Sequence, residues 1–93
     1  MIYRIKLSKA IQRQMQALPG HIRPLARKQI FSLTEDPRPV DAKELEGHPD
    51  YYRIWVGGRF RIVWQIVEDE QLIDILYVGP KLPNLYEQLG LGT

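Results

Sequence analysis

Between Tyr51 and Val67 the chain reads YYRIWVGGRFRIVWQIV, with apolar and polar side chains alternating on both sides of a Gly-Gly pair. In the second run Phe60, Ile62, Trp64 and Ile66 alternate with Arg61, Val63 and Gln65. In the first, Tyr52, Ile54 and Val56 alternate with Tyr51, Arg53 and Trp55. A period of two predicts half-buried strands, and the glycines predict that they form a hairpin. The register follows from the same pattern. A two-residue turn at Gly57-Gly58 would set Val56 against Arg59 and Ile54 against Arg61, placing an arginine on each apolar face. A three-residue turn, Gly57-Gly58-Arg59, pairs Val56 with Phe60 and Ile54 with Ile62, and directly opposed residues share a face. The longer turn is expected. It puts Tyr51, Arg53, Trp55, Arg61 and Gln65 together on the face turned away from the core, where two arginines beside aromatic rings suit phosphate and stacked bases.

The remaining elements follow in order. Ile2 to Leu7 predicts a short strand, and Ser8 is placed to cap a first helix whose apolar stripe is Ile11, Met15 and Leu18. Pro19-Gly20 ends that helix. A second helix starts near His21, with Pro24 in its first turn, where the missing N–H costs no bond. Ile22, Leu25, Ala26, Ile30 and Leu33 make its apolar face, and Arg23, Arg27 and Lys28 point away. The run Asp36-Pro37-Arg38-Pro39 stops it. Lys43 to Leu45 is a short edge strand, and residues 47–50 form a loop into the central hairpin. Leu72 to Val78 is the last strand, reached through the acidic turn Glu68-Asp69-Glu70 and broken by Gly79-Pro80. Pro83 to Leu89 supplies a turn or two of helix, and Gly90 to Thr93 is expected to fray. The order is β-α-α-β-β-β-β-(α). This is an α+β domain: a twisted, largely antiparallel sheet of four to five strands with an N-terminal αα-hairpin packed on one face.

Composition narrows the class. The 93 residues, 44% hydrophobic and 26% charged, suit one domain (1–93) with a small core. Without cysteine there can be no disulfide and no thiolate zinc site. No apolar run is long enough to span a bilayer, the first residues lack a signal-peptide core, and a cytoplasmic location is expected. The net charge of +2 conceals an asymmetry. No Asp or Glu precedes Glu35, whereas Arg4, Lys6, Lys9, Arg13, Arg23, Arg27 and Lys28 do. The remainder holds six basic and eleven acidic residues. A basic first third either meets a polyanion or is simply the wet side of two helices.

The inventory of chemical groups is short. His21 and His48 are far apart, the first a helix-start residue and the second a loop residue beside the hairpin, and no metal-site spacing occurs. There is no phosphate-cradling glycine loop between a strand and a helix. No cofactor and no metal is expected. Arg53, Arg61, Lys81 and Tyr86 remain, with Tyr51, Trp55 and Arg59 nearby. Such a set can cleave RNA without a metal, because the 2′-hydroxyl attacks its own phosphate once the phosphorane charge is neutralised and the nucleotide is held in line. An arginine fork meets two phosphate oxygens at once. Equally, Arg53 and Arg61 could be solvated strand residues paired with Asp74 or Glu68.

The run from Asp36 to Tyr86 resembles the RelE/ParE toxin superfamily of toxin–antitoxin systems, more closely its RelE-like mRNA interferases. The likeness is carried by DPRP at 36–39, KELEGHPDYYRI at 43–54, GGRFRIVWQI at 57–66 and LYVGPKLPNLY at 76–86, and extends to the N-terminal strand and helices. It implies a toxin neutralised by an antitoxin protein, entering the ribosome and cutting mRNA in the A site. By position it implies phosphate binding for Arg53 and Arg61, charge stabilisation or proton donation for Lys81, and base stacking or proton transfer for Tyr86. Further RNA contacts fall to Tyr51, Trp55, Arg59, Arg23, Arg27 and Lys28. Trp55 stands where RelE-like enzymes often carry a second basic residue, Pro80 where His or Lys is frequent, and Lys81 replaces a more usual arginine. The same resemblance implies two alternatives: a ParE-like inhibitor that binds DNA gyrase without cleaving anything, and a degenerate toxin that only binds its antitoxin.

Overall fold

The computed structural model describes residues 2–92. Its elements are β1 (Arg4–Lys6), α1 (Lys9–Gln16), α2 (Arg23–Ser32), β2 (Lys43–Leu45), β3 (His48–Val56), β4 (Phe60–Val67), β5 (Leu72–Pro80) and α3 (Leu85–Gln88), with a 3-10 turn at Glu68–Glu70. Five strands form one sheet in the order β1-β5-β4-β3-β2, parallel between β1 and β5 and antiparallel elsewhere. Among the described residues no helix is long and apolar enough to cross a membrane.

The central hairpin adopts the register expected from its pattern, with Val56 opposite Phe60, Ile54 opposite Ile62 and Trp55 opposite Arg61. Gly57 and Gly58 both take positive φ, 61° and 79°. Ser8 caps α1 by accepting from the Ile11 N–H at 3.2 Å. Pro24 lies in the first turn of α2. Both helices cover one face of the sheet. Ile11, Leu18, Ile22, Ala26, Ile30 and Leu33 pack there on Ile54, Ile62, Trp64, Ile66, Ile73 and Ile75. The Trp64 ring is fully buried, lies near-parallel to that of Tyr52, and donates from Nε1 to the Pro37 carbonyl at 3.1 Å. That bond pins the turn after α2 onto the core.

Several details differ from the sequence expectation. Leu25 is 48% exposed, because α2 rests on the sheet through Ala26 and Ile30 and turns Leu25 outward. The first strand is only Arg4–Lys6. Residues 48–50 belong to β3: Glu46 and Gly47 form the turn, and the β2–β3 pairing then skips from Leu45–His48 to Glu44–Tyr52. Asp50 sits in that irregularity at φ 71°, its N–H bonded to the Glu44 carboxylate at 3.0 Å. The last strand also runs past Val78, since Gly79 and Pro80 still pair with Arg61 and Phe60. Pro80 lacks a donor, and the terminal position of the strand tolerates that loss.

The second face is not open. Leu45, Val63 and Leu91 are buried there, with Tyr51, Leu76, Tyr77, Tyr86 and Leu89 packed around them. The segment after α3, expected to fray, is tied back: the Leu91 N–H donates to the Tyr86 carbonyl at 2.7 Å. Thr93 lies outside the described residues.

Candidate active site

Arg53 and Arg61 emerge on this second face because β3 and β4 pair Arg53 with Val63 and Trp55 with Arg61. Arg53 and Arg61 are thus diagonal neighbours, about 7–8 Å apart at the backbone. Their environments differ. Arg53 is half-buried and lines a groove of about 460 Å³, whose walls include Lys43, Glu46, Asn84, Tyr86 and Glu87. Arg61 is only 4% exposed. Its guanidinium stacks on the Trp55 ring, 3.9 Å from the centroid, and donates from one terminal nitrogen to the Tyr86 hydroxyl. Its Nε is buried without a hydrogen-bond partner among the described residues.

This corrects the picture of two solvated arginines on an uncovered sheet. Burying a guanidinium is costly unless its surroundings replace water. Here an indole face and a phenol oxygen do so, and no carboxylate among the described residues does: Glu68 serves Arg38, at 2.8 Å.

Tyr86 joins the two environments, since its side chain lines the groove beside Arg53 and its hydroxyl accepts from Arg61. It is held by α3, one turn of helix anchored by the buried Leu85. Lys81 is exposed, with Nζ 5.7 Å from the Tyr86 centroid and bonded to the Leu82 carbonyl at 3.3 Å. Arg53, Arg61, Lys81 and Tyr86 therefore gather in one place. Tyr51 belongs to the small core on this face and meets His48 edge-on. Arg59 projects from the hairpin turn. Arg23, Arg27 and Lys28 lie on α2, across the sheet from the groove, and Arg23 donates to the Leu18 carbonyl at 3.0 Å, closing the helical connection.

Two features escaped the sequence reading. Lys43 stands directly opposite Arg53 and adds a second cation to the groove. Its place depends on the irregular β2–β3 register, which the local pattern does not announce. The other is Arg38, which bridges Asp50 at 3.3 Å and Glu68 at 2.8 Å and donates to the Tyr52 hydroxyl at 3.1 Å. Hydrogen bonds from Arg38 and then Tyr3 hold the Glu68 carboxyl below its ordinary value, and the Glu68 bond raises Arg38 in turn. Burial pushes the Tyr77 phenol up.

Comparison with solved structures places this architecture. A mutant of the E. coli toxin RelE in the free state superposes with a TM-score of 0.80 at 22% identity, covering 97% of this chain and 96% of that one. The archaeal RelE–RelB complex from Pyrococcus horikoshii gives 0.72 at 28% identity, covering 86% and 96%. The intact E. coli RelBE toxin–antitoxin complex gives 0.74 at 23%, covering 86% and 98%. No family model and no curated protein matches the sequence. The fold is that of the RelE toxins.

Proposed function

We propose that the chain is the toxin of a toxin–antitoxin module, a metal-independent endoribonuclease that cuts mRNA in the ribosomal A site and is neutralised by an antitoxin protein. The observation that carries this reading is the Arg61–Tyr86 hydrogen bond beside Arg53, on a fold shared with RelE. Arg53, at the groove surface, meets the scissile phosphate first. Arg61 lies behind it, and its guanidinium charge offsets the extra negative charge of the phosphorane. The Tyr86 oxygen already accepts from Arg61, so its own hydrogen is left to donate to a departing oxygen or to hold a 2′-hydroxyl in line. Lys81 adds positive charge beside the ring. RelB-bound relatives support an antitoxin partner.

Primer extension on translated mRNA after induction tests the proposal. Discrete cuts are expected with the native chain, reduced on the order of 10²–10³-fold in Arg61→Ala, as for loss of one donor to a developing oxyanion. Intact mRNA accompanied by inhibited supercoiling would overturn it in favour of a gyrase inhibitor.

A further inference from the structure

Trp55 borders two places. Its ring receives Arg61, and the residue, 49% exposed, also lines a hollow of about 320 Å³ between α2 and the end of β3. The hollow exists because β2 is short. Its pairing stops at Arg53, leaving the outer edge of Ile54–Val56 uncovered beside α2. Gly57 closes one end, pressed against Ile22 so tightly that a Cβ would overlap its side chain. The walls are Trp55 and the exposed Leu25, with Lys28, Gln29 and Ser32 on the rim. Among the described residues no Asp or Glu lines it.

An exposed tryptophan and an exposed leucine lining one hollow, with a lysine at the rim and no carboxylate among the described lining residues, suit a flat π-system carrying a negative charge. We propose that the hollow is a second nucleotide subsite, in which a base of single-stranded RNA lies against Trp55 with its phosphate at Lys28. The inference rests on the ribonuclease reading and extends its substrate path: the strand leaves Arg53 and Arg61, passes the Trp55 ring and rounds the edge of β3 onto α2. It also links Lys28 to a site otherwise on the far side of the sheet. Stacking of this kind tolerates any base, so the subsite adds affinity without sequence preference.

The molecule carries its own probe. Trp64 is fully buried, so quenching of tryptophan emission by RNA reports on Trp55. A 2′-O-methyl hexanucleotide, which cannot be cleaved, is titrated while fluorescein anisotropy of the same labelled oligonucleotide reports total binding. Quenching that saturates with the anisotropy is expected. Lys28→Glu should weaken binding on the order of tenfold and lower the log–log salt slope by roughly 0.7, as for one phosphate contact on a single strand. Leu25→Asp should weaken the quench likewise; both side chains are exposed, and circular dichroism confirms folding. Binding that Arg53→Ala weakens but Lys28→Glu does not, with emission unchanged, overturns the subsite alone and leaves that edge free for a protein strand. No binding by the native chain, with mRNA intact in cells, overturns the ribonuclease reading and this inference with it.

Discussion

Arg61 lies with its guanidinium carbon 3.9 Å over the Trp55 ring, a stack between residues directly opposed across β3 and β4. The hairpin register makes this contact inevitable, and burial makes it matter. A cation–π pair contributes roughly 0.5–1 kcal/mol when exposed and about 2 kcal/mol when desolvated. Trp55→Ala should therefore destabilise the fold by about 1–2 kcal/mol. Urea unfolding checks the magnitude. Trp55→Lys should be worse than alanine, because it sets a second cation against a guanidinium that has no carboxylate partner among the described residues.

Tyr86→Phe keeps the ring and removes the acceptor. Arg61 already has one buried nitrogen without a partner, and this change adds another. A stability loss of about 1–3 kcal/mol is expected. Cleavage should fall far more than stability if the hydroxyl takes part in proton transfer, so unfolding and primer extension on the same variant separate the two roles.

Leu91 closes the small core over Val63 and keeps α3, and hence Tyr86, against the sheet. Leu91→Ala should cost about 2 kcal/mol, the low end for a buried leucine since the site lies at the rim. Its more specific effect should be faster proteolysis after α3, read by mass spectrometry, while cleavage within β3–β5 stays slow.

Gly57→Ala combines a left-handed backbone with an overlap on Ile22. The backbone term alone is about 1–2 kcal/mol, and crowding adds to it. Gly58→Ala has the same kind of φ but open space around it. The difference between the two variants in thermal melts isolates the steric part, with Gly57→Ala the lower.

Acid sensitivity should trace to Glu68. Arg38 and Tyr3 depress its folded pKa below the ordinary 4.5, so the carboxylate contributes stability that is present above that pH and is lost as pH falls through the folded value. Glu68→Gln should remove that contribution, so the variant is modestly less stable than the native chain at neutral pH and the gap between them closes as pH falls below 4.5. Because the pair is exposed, added salt should shrink even that difference.

The amino-acid pattern alone determined the hairpin register, both helices and the common face of Arg53, Trp55 and Arg61. Those features depend on alternation and spacing within a few residues, where one slip would bury an arginine in the aliphatic core. Tertiary structure decided what lies over that face. Arg61 reads as a solvated strand residue until the tail after α3 folds back and sets Tyr86 upon it, 25 residues away in sequence. Lys43 joins Arg53 only through an irregular strand pairing, and Lys28 and Trp55 line one hollow only because α2 packs beside the end of β3. Local periodicity carries no information about such long-range coverage, since it records which side of a strand is apolar and not which distant segment will shield the other.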